Sequence, residues 1–376
     1  MPIIFLVFLI PAIYVASRTL WPLTLPLWSK VVAAVLLLGV SQYHLWSRLS
    51  SGSVFAPEFP RPVVILFNWA FGALVLLMLI QIVLDLGLLA TAVVRWQRVG
   101  LPEAARYGSL GLAALASAIA VANAVRVPPI KDVEVEIAGL PPQFEGYRIL
   151  QLTDLHISKL FPAAWTSAVV ARANAAGSDV IVVTGDFIDG SVDMRRKDVA
   201  PLQALEAPDG VWAIPGNHEY FFDYGAWMRH LTSLGFRMLP NAHTVIRRGG
   251  VELVMAGVTD LSAPSVGGGG AAPDVGLALR GAPAGAPIVL LDHQPRRARG
   301  AAAKGVALQL SGHTHGGMIV GLDRLVARAN AGFVAGRYAV GGMTLYVSNG
   351  TGLWPGFALC LGVPLEMTRF TLRSKL

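Results

Sequence analysis

The chain has 376 residues, of which 54% are hydrophobic and only 14% charged, with a formal net charge of +7. Soluble globular domains carry about 25% charged residues, so this composition excludes an ordinary soluble protein and calls for a membrane part. The charge is unevenly spread. Residues 1–131 hold 9 Lys and Arg against 3 Asp and Glu, while residues 132–376 hold 21 against 20. The excess therefore flanks apolar segments, which suits anionic lipid headgroups rather than a nucleic-acid groove.

Four apolar runs come first, at Pro2 to Ala16, Val31 to Trp46, Val63 to Val94 and Tyr107 to Val125. Each approaches the roughly 20 residues that cross a bilayer, so residues 1–127 are expected to form an all-α transmembrane region of about four helices, three being the lower count. The first run has no basic start and no small-residue cleavage site, which favours an uncleaved anchor over a signal peptide. The third contains Asn68, Gln81 and Asp85. No second intramembrane charge accompanies Asp85, so a residue facing neighbouring helices is the simpler reading and a proton or transport path the sharper one. The first and third connections carry Arg18, Lys30, Arg95, Arg98 and Arg106, against Arg48, Arg61, Arg126 and Lys131 in the second connection and beyond the last span. By one charge, the positive-inside rule points the C-terminal domain away from the cytoplasm. Cys360 is the only cysteine, which rules out an internal disulfide; a small buried hydrophobe is expected there.

From Asp132 to Leu376 the texture is that of a soluble α/β domain. Apolar runs of strand length recur in "YRILQLTD", "DVIVVTGD", "GVWAIPGNH", "VELVMAG", "APIVLLDH" and "VALQLSGHTH". Several are continuous, as in strands covered on both faces. Helical composition lies between the first and second (Ala163 to Ala176) and between the third and fourth ("YGAWMRHLTSLG", closed by Gly235). A layered α/β fold is expected.

Five of those strands end in metal-ligating types: Asp154 and His156, then Asp186, then Asn217 and His218, then His293, then His313 and His315. Singly, each has a plain explanation as a cap, a turn or a core histidine. The His313–His315 pair is read as two residues on one strand face, able to reach one site. Nitrogen and oxygen donors without thiolate suit manganese, iron or zinc. Eight such side chains exceed the needs of one ion; two ions need a bridging carboxylate, and such pairs clamp the attacking and leaving oxygens in phosphoryl displacement.

"TDLH", "TGDFID", "PGNHEY", "DHQP" and "SGHTHGG" resemble, in order and spacing, the five motifs of the calcineurin-like metallophosphoesterases, especially the membrane-associated bacterial branch typified by YkuE-like proteins. The resemblance runs from about Val133 to Leu372. It implies a layered sandwich of two mixed β-sheets flanked by helices, with one divalent ion held by Asp154, His156, Asp186 and His315 and a second by Asp186, Asn217, His293 and His313. Asp186 would bridge, a metal-bridging hydroxide would attack phosphorus, and His218 would act on the leaving group. Glu219 and Asp189 are read as a helix-start charge and a turn residue, groups that support the metal ligands being the sharper alternative, and Asp260 receives no role. Met318 stands where relatives usually have Gln.

Two further tracts complete the reading. Ala263 to Pro287, with "GGGG" at 267–270, is expected to be a flexible surface connection, a lid being the sharper alternative. "PRRARG" at Pro295–Gly300 is either a solvated basic face or a patch for phosphate or anionic lipid. The expected function is a membrane-anchored phosphoric ester hydrolase with two divalent ions, acting on a phosphodiester or pyrophosphate, including one carried by a lipid or lipid precursor, with membrane lipids as partners and no nucleic acid. A multi-pass protein of the bacterial cytoplasmic membrane is the expected setting. The competing readings are a silent membrane sensor or scaffold, and a metal-dependent hydrolase of the amidohydrolase type. In the latter a His-X-His pair comes early in the barrel rather than last, and Asn217 would have no role.

Overall fold

The computed structural model describes residues 3–97, 99–265 and 270–375. The chain divides into two compact units. One contains the residues up to Ala124 together with Pro355–Leu361; the other contains Val125–Trp354 and the chain from Gly362 onwards.

The first unit is helical: α1 (Ile3–Val15), α2 (Leu27–Ser41), α3 (Tyr43–Ser51), α4 (Arg61–Arg95) and α5 (Glu103–Ala124). Proline in the first turn of α4 supplies a preset φ where no N–H partner is needed, and α3 stops at Gly52, whose φ of 81° is left-handed. At ~1.5 Å per residue, α4 exceeds the ~30 Å hydrocarbon core. Among the described residues, α4 and α5 are the two helices long and apolar enough to cross a membrane; α1 and α2, with 13 and 15 residues, are shorter.

Asp85 does have a charged companion, which corrects the sequence reading. The Arg18 guanidinium donates from Nε and Nη2 to its two oxygens, both at 2.9 Å, with Tyr14 Oη at 2.6 Å and Gln81 Nε2 at 2.8 Å completing the shell. Arg18 lies on the short π-helical turn Ala16–Leu20 that extends α1, so what reads in the sequence as a connection brings its charge to α4.

Among its described residues, the second unit contains twelve strands in two six-stranded sheets. In chain order they are β1 (Ile130–Ile137), β2 (Arg148–Leu152), β3 (Val180–Thr184), β4 (Val211–Ile214), β5 (Arg237–Met238), β6 (Ala242–Arg248), β7 (Val251–Gly257), β8 (Ile288–Leu291), β9 (Leu308–Ser311), β10 (Gly336–Val340), β11 (Met343–Val347) and β12 (Met367–Ser374). One sheet runs β1-β12-β2-β3-β4-β5 and the other β10-β11-β9-β8-β7-β6. Both are mixed: β2, β3, β4 and β5 are mutually parallel, as are β7, β8, β9 and β11, while β12–β2, β6–β7 and β10–β11 are antiparallel. The two mixed sheets flanked by helices are the layered α/β architecture expected.

Alternation along the strands builds the core. Ile149, Val180, Val182 and Ile214 from the first sheet pack in one buried cluster with Leu253, Met255, Val289, Leu291, Leu308 and Leu310 from the second. The other face of the second sheet buries Val254, Ala256, Leu290, Leu345 and Val347 against Ala278, Ala298 and Ala301. Helix α6 (Ala163–Asn174) buries Trp165, Val169, Val170 and Ala173. Both faces of the central strands are thus covered, which is why those strands read as unbroken apolar runs. Helix α7 (Val192–Val199) is capped by Ser191. After the short α8 (Asn217–Phe221), α9 (Tyr224–Ser233) is capped by the Asp223 carboxylate, which accepts from Ala226 N at 3.0 Å.

Candidate metal centre

The strands that carry the motifs belong to both sheets. β2, β3 and β4 deliver Asp154, His156, Asp186, Asn217 and His218; β8 and β9 deliver His293, His313 and His315. Parallel strands expose their C-terminal ends on one edge, and the shared core holds the two edges side by side. All eight side chains converge there.

They sort into two donor groups. In the first, His156 Nε2 lies 3.2 Å from His315 Nε2 and 4.0 Å from Asp154 Oδ1, and His315 Nε2 lies 3.7 Å from the same oxygen. In the second, Asn217 Oδ1 lies 3.0 Å from His293 Nε2 and 2.9 Å from His313 Nδ1. Asp186 Oδ2 reaches both, 3.8 Å from His156 Nε2 and 3.2 Å from His293 Nε2. His218 Nε2 stands 3.9 Å from that oxygen.

The neighbours of these groups fix their protonation. Thr184 O can only accept, so His293 Nδ1, at 2.8 Å, must carry a hydrogen. Its Nε2 then offers a lone pair towards Asp186 and Asn217, and three acceptors face one another unless a proton or a cation lies between them. Asp189, fully buried, accepts from both His156 Nδ1 (3.0 Å) and His218 Nδ1 (2.5 Å). His156 Nε2 is thereby turned towards His315 Nε2, and His315 Nδ1 is buried with no hydrogen-bond partner. A hard or borderline cation satisfies this donor set, and the residues present fit such an ion.

The electrostatics follow. Burial alone would raise the Asp186 carboxyl, but the His293 and His218 rings outweigh it and hold it well below the usual range. Burial opposes the charged form of His218, yet the Asp186 and Asp189 carboxylates push it up to about 9. His315 goes the other way: burial, with His156 adding to it, pulls it to about 4. His313 falls to about 3, from burial and the neighbouring His293.

The backbone is bent to achieve this. Asp154, His156, Asp186, His313 and His315 all have φ between 45° and 72°, the left-handed region that non-glycine residues visit rarely and that clusters at functional sites. The His313–His315 pair therefore corrects the strand reading. β9 ends at Ser311, and both histidines lie beyond it in a tight turn; they converge through two left-handed residues rather than through strand alternation. Glycines precede the ligand types because those side chains fill the space. A Cβ on Gly216 would collide with Asp186 Oδ1, and one on Gly312 with Asp154 Oδ2 and Thr153 Oγ1.

Three acids hold the site's surroundings. Asp189 takes the sharper of its two sequence readings, as a shared support for two site histidines. Glu219, beyond its place at the start of α8, accepts from Asp186 N (3.1 Å), Phe187 N (2.8 Å) and Gly216 N (2.7 Å), tying the β3 loop to the β4 loop. Burial and then Asp186 raise its carboxyl to about 7. Asp260 holds Gln294 Nε2 at 3.0 Å from each carboxylate oxygen, steadying the residue after His293. Their spacing, three residues after Asp186 and directly after His218, was the available signal.

The basic tract after His293 is dispersed: Arg297 donates to Pro273 O and Arg299 lies over the Phe333 ring. In the tract from Ala263 to Pro287, residues 266–269, most of the "GGGG" run, lie outside the described residues. Beyond them Ala272 O and Asp274 N are pinned by the Asn241 amide.

Comparison with known proteins agrees with this geometry. Residues 147–317 match the family described as calcineurin-like phosphoesterase. Proteins named "transmembrane protein with metallophosphoesterase domain" are similar: the one from Danio rerio is 32% identical over 51% of this chain and 45% of its own length, and the one from Bos taurus 31% identical over 69% and 60%. The chain thus spans about half the length of these relatives. A UDP-2,3-diacylglucosamine pyrophosphatase, LpxG of Chlamydia muridarum, is 36% identical over 22% of this chain and 26% of its own. Over residues 147–317 the chain carries a calcineurin-like phosphoesterase domain.

Proposed function

We propose that the protein is a membrane-anchored, dinuclear-metal phosphoesterase that hydrolyses a phosphodiester or pyrophosphate carried by a lipid or lipid precursor. The observation that carries this reading is the sharing of one carboxylate, Asp186, by two donor groups that each draw on both sheets. Asp154, His156, Asp186 and His315 would hold one divalent ion; Asp186, Asn217, His293 and His313 the other. Donor chemistry admits manganese, iron or zinc. Such ions supply an acidified water and neutralise charge on the phosphoryl oxygens.

The side chains do the rest. The Asp189 carboxylate fixes the ring of His218 through Nδ1, leaving Nε2 to meet the substrate. A proton held there, favoured by the neighbouring carboxylates, is available to the departing oxygen. The closed left-handed turns keep the donors in place before substrate arrives, so little reorganisation remains for the reaction.

Support for a lipid substrate comes from the apolar helices and from the relative named for a lipid pyrophosphate. A silent sensor or scaffold would be favoured by a lost ligand type, and all seven are present. The test uses full-length protein in detergent with manganese and an aryl phosphodiester, then lipid-linked diesters and pyrophosphates. Turnover that vanishes with chelator and falls steeply in His218→Ala is expected; no turnover on any of them with either manganese, iron or zinc would return the sensor reading. A C-terminal reporter fusion then fixes the side of the membrane.

A further inference from the structure

The seven residues Pro355–Leu361 are followed and preceded in sequence by the phosphoesterase unit, yet they belong to the helical one. They form neither helix nor strand, so their backbone groups need partners from elsewhere. The helices supply them. Pro355 O accepts from Tyr43 Oη (2.9 Å) and from Asn68 Nδ2 (2.8 Å); Ala358 N donates to Asn68 Oδ1 (2.7 Å); Cys360 N donates to Ala120 O (3.1 Å). Phe357 meets the edge of Phe71, and Leu359 is fully buried against Gly72, where any Cβ would collide with it.

Asn68 is the telling residue. It is a polar side chain, 2% exposed, two turns into a 35-residue apolar helix. A buried amide in such a helix is unfavourable unless both ends are hydrogen-bonded, and here its carbonyl and one amide hydrogen are matched to this segment. Tyr43, Asn68, Phe71, Gly72 and Ala120 come from three helices and form a receptor built for it. We infer that Pro355–Leu361 is an integral part of the helical unit, held there by non-covalent contacts that do not depend on the peptide link at Ala124–Val125. The inference does not rest on the catalytic reading.

The experiment places a protease recognition sequence between Ala124 and Val127 of the full chain, purified in detergent. After complete cleavage, the fragment containing the helices and the fragment containing the two sheets are expected to co-elute on size exclusion. Ala358→Pro, which removes the N–H that Asn68 accepts, and Asn68→Leu are each expected to abolish co-elution after cleavage while the uncut variants stay monodisperse. Should an uncut variant aggregate, Phe357→Asp carries the same comparison without touching the helices. Separation of the wild-type fragments, or co-elution that survives the substitutions in monodisperse protein, would overturn the inference.

Discussion

Two carboxylates, the half-buried Asp85 and the buried Asp186, show the difference between a closed polar cluster and an open one. Asp85 meets a permanent cation, Arg18, in a two-pronged contact, and Tyr14 and Gln81 donate to the oxygens that remain. Every neighbour is a donor, so the cluster is complete as it stands. Asp186 is surrounded instead by imidazoles whose far nitrogens are already committed to Thr184 O and Asp189, and by the acceptor Asn217 Oδ1 beyond His293. That cluster converges lone pairs and is completed only by protons or cations. The same residue type is closed off in one unit and left facing lone pairs in the other because of the groups that surround it.

Substitutions can break or sharpen this contrast. The largest effect is expected from Asp186→Ala, which removes the oxygen common to both donor groups: kcat/KM should fall by roughly 10⁴-fold or more, since charge neutralisation and the activated water are lost together. His218→Ala leaves the proposed ligands intact and should lower kcat by about 10² to 10⁴-fold, the range for a positioned acid, with metal content unchanged. Asp189→Asn keeps the shape but loses the charge that orients two rings; a decrease of about 10–100-fold in metal affinity or turnover is expected, and titration of metal into the chelated protein separates the two. Metal at 100 times its dissociation constant should raise stability by about 2.7 kcal/mol, seen as a chelator-sensitive melting temperature. Asp85→Asn should change aryl-ester turnover least, within about twofold, because its partners all lie in the helical unit. A large loss there would revive the transport reading of Asp85.

The sequence carried the strand–helix alternation and the five motif positions, because covered parallel strands are unbroken apolar runs and each ends in a polar residue that a core would not tolerate. It did not carry β1 or β12, whose "IKDVEVEI" and "MTRFTLRS" mix charge into the pattern as solvent-facing positions require. Nor did it reveal how His313 and His315 converge, since left-handed φ values leave no periodic trace. Asp189 and Glu219 read as turn and helix-start residues, as acids beside Gly and at helix starts usually are; only their distances to His156, His218 and three backbone amides assign them work. Arg18 and Pro355–Leu361 were illegible for a common reason: their partners are 67 and more than 200 residues away.

The central claim is that Asp186 is shared by two metal ions. Metal analysis of the full chain, loaded with manganese and freed of excess, tests it most directly. Two ions per chain in the wild type, falling below one in Asp186→Ala with the fold intact, is the predicted result. A single ion in the wild type, or two ions undiminished by the substitution, would contradict it.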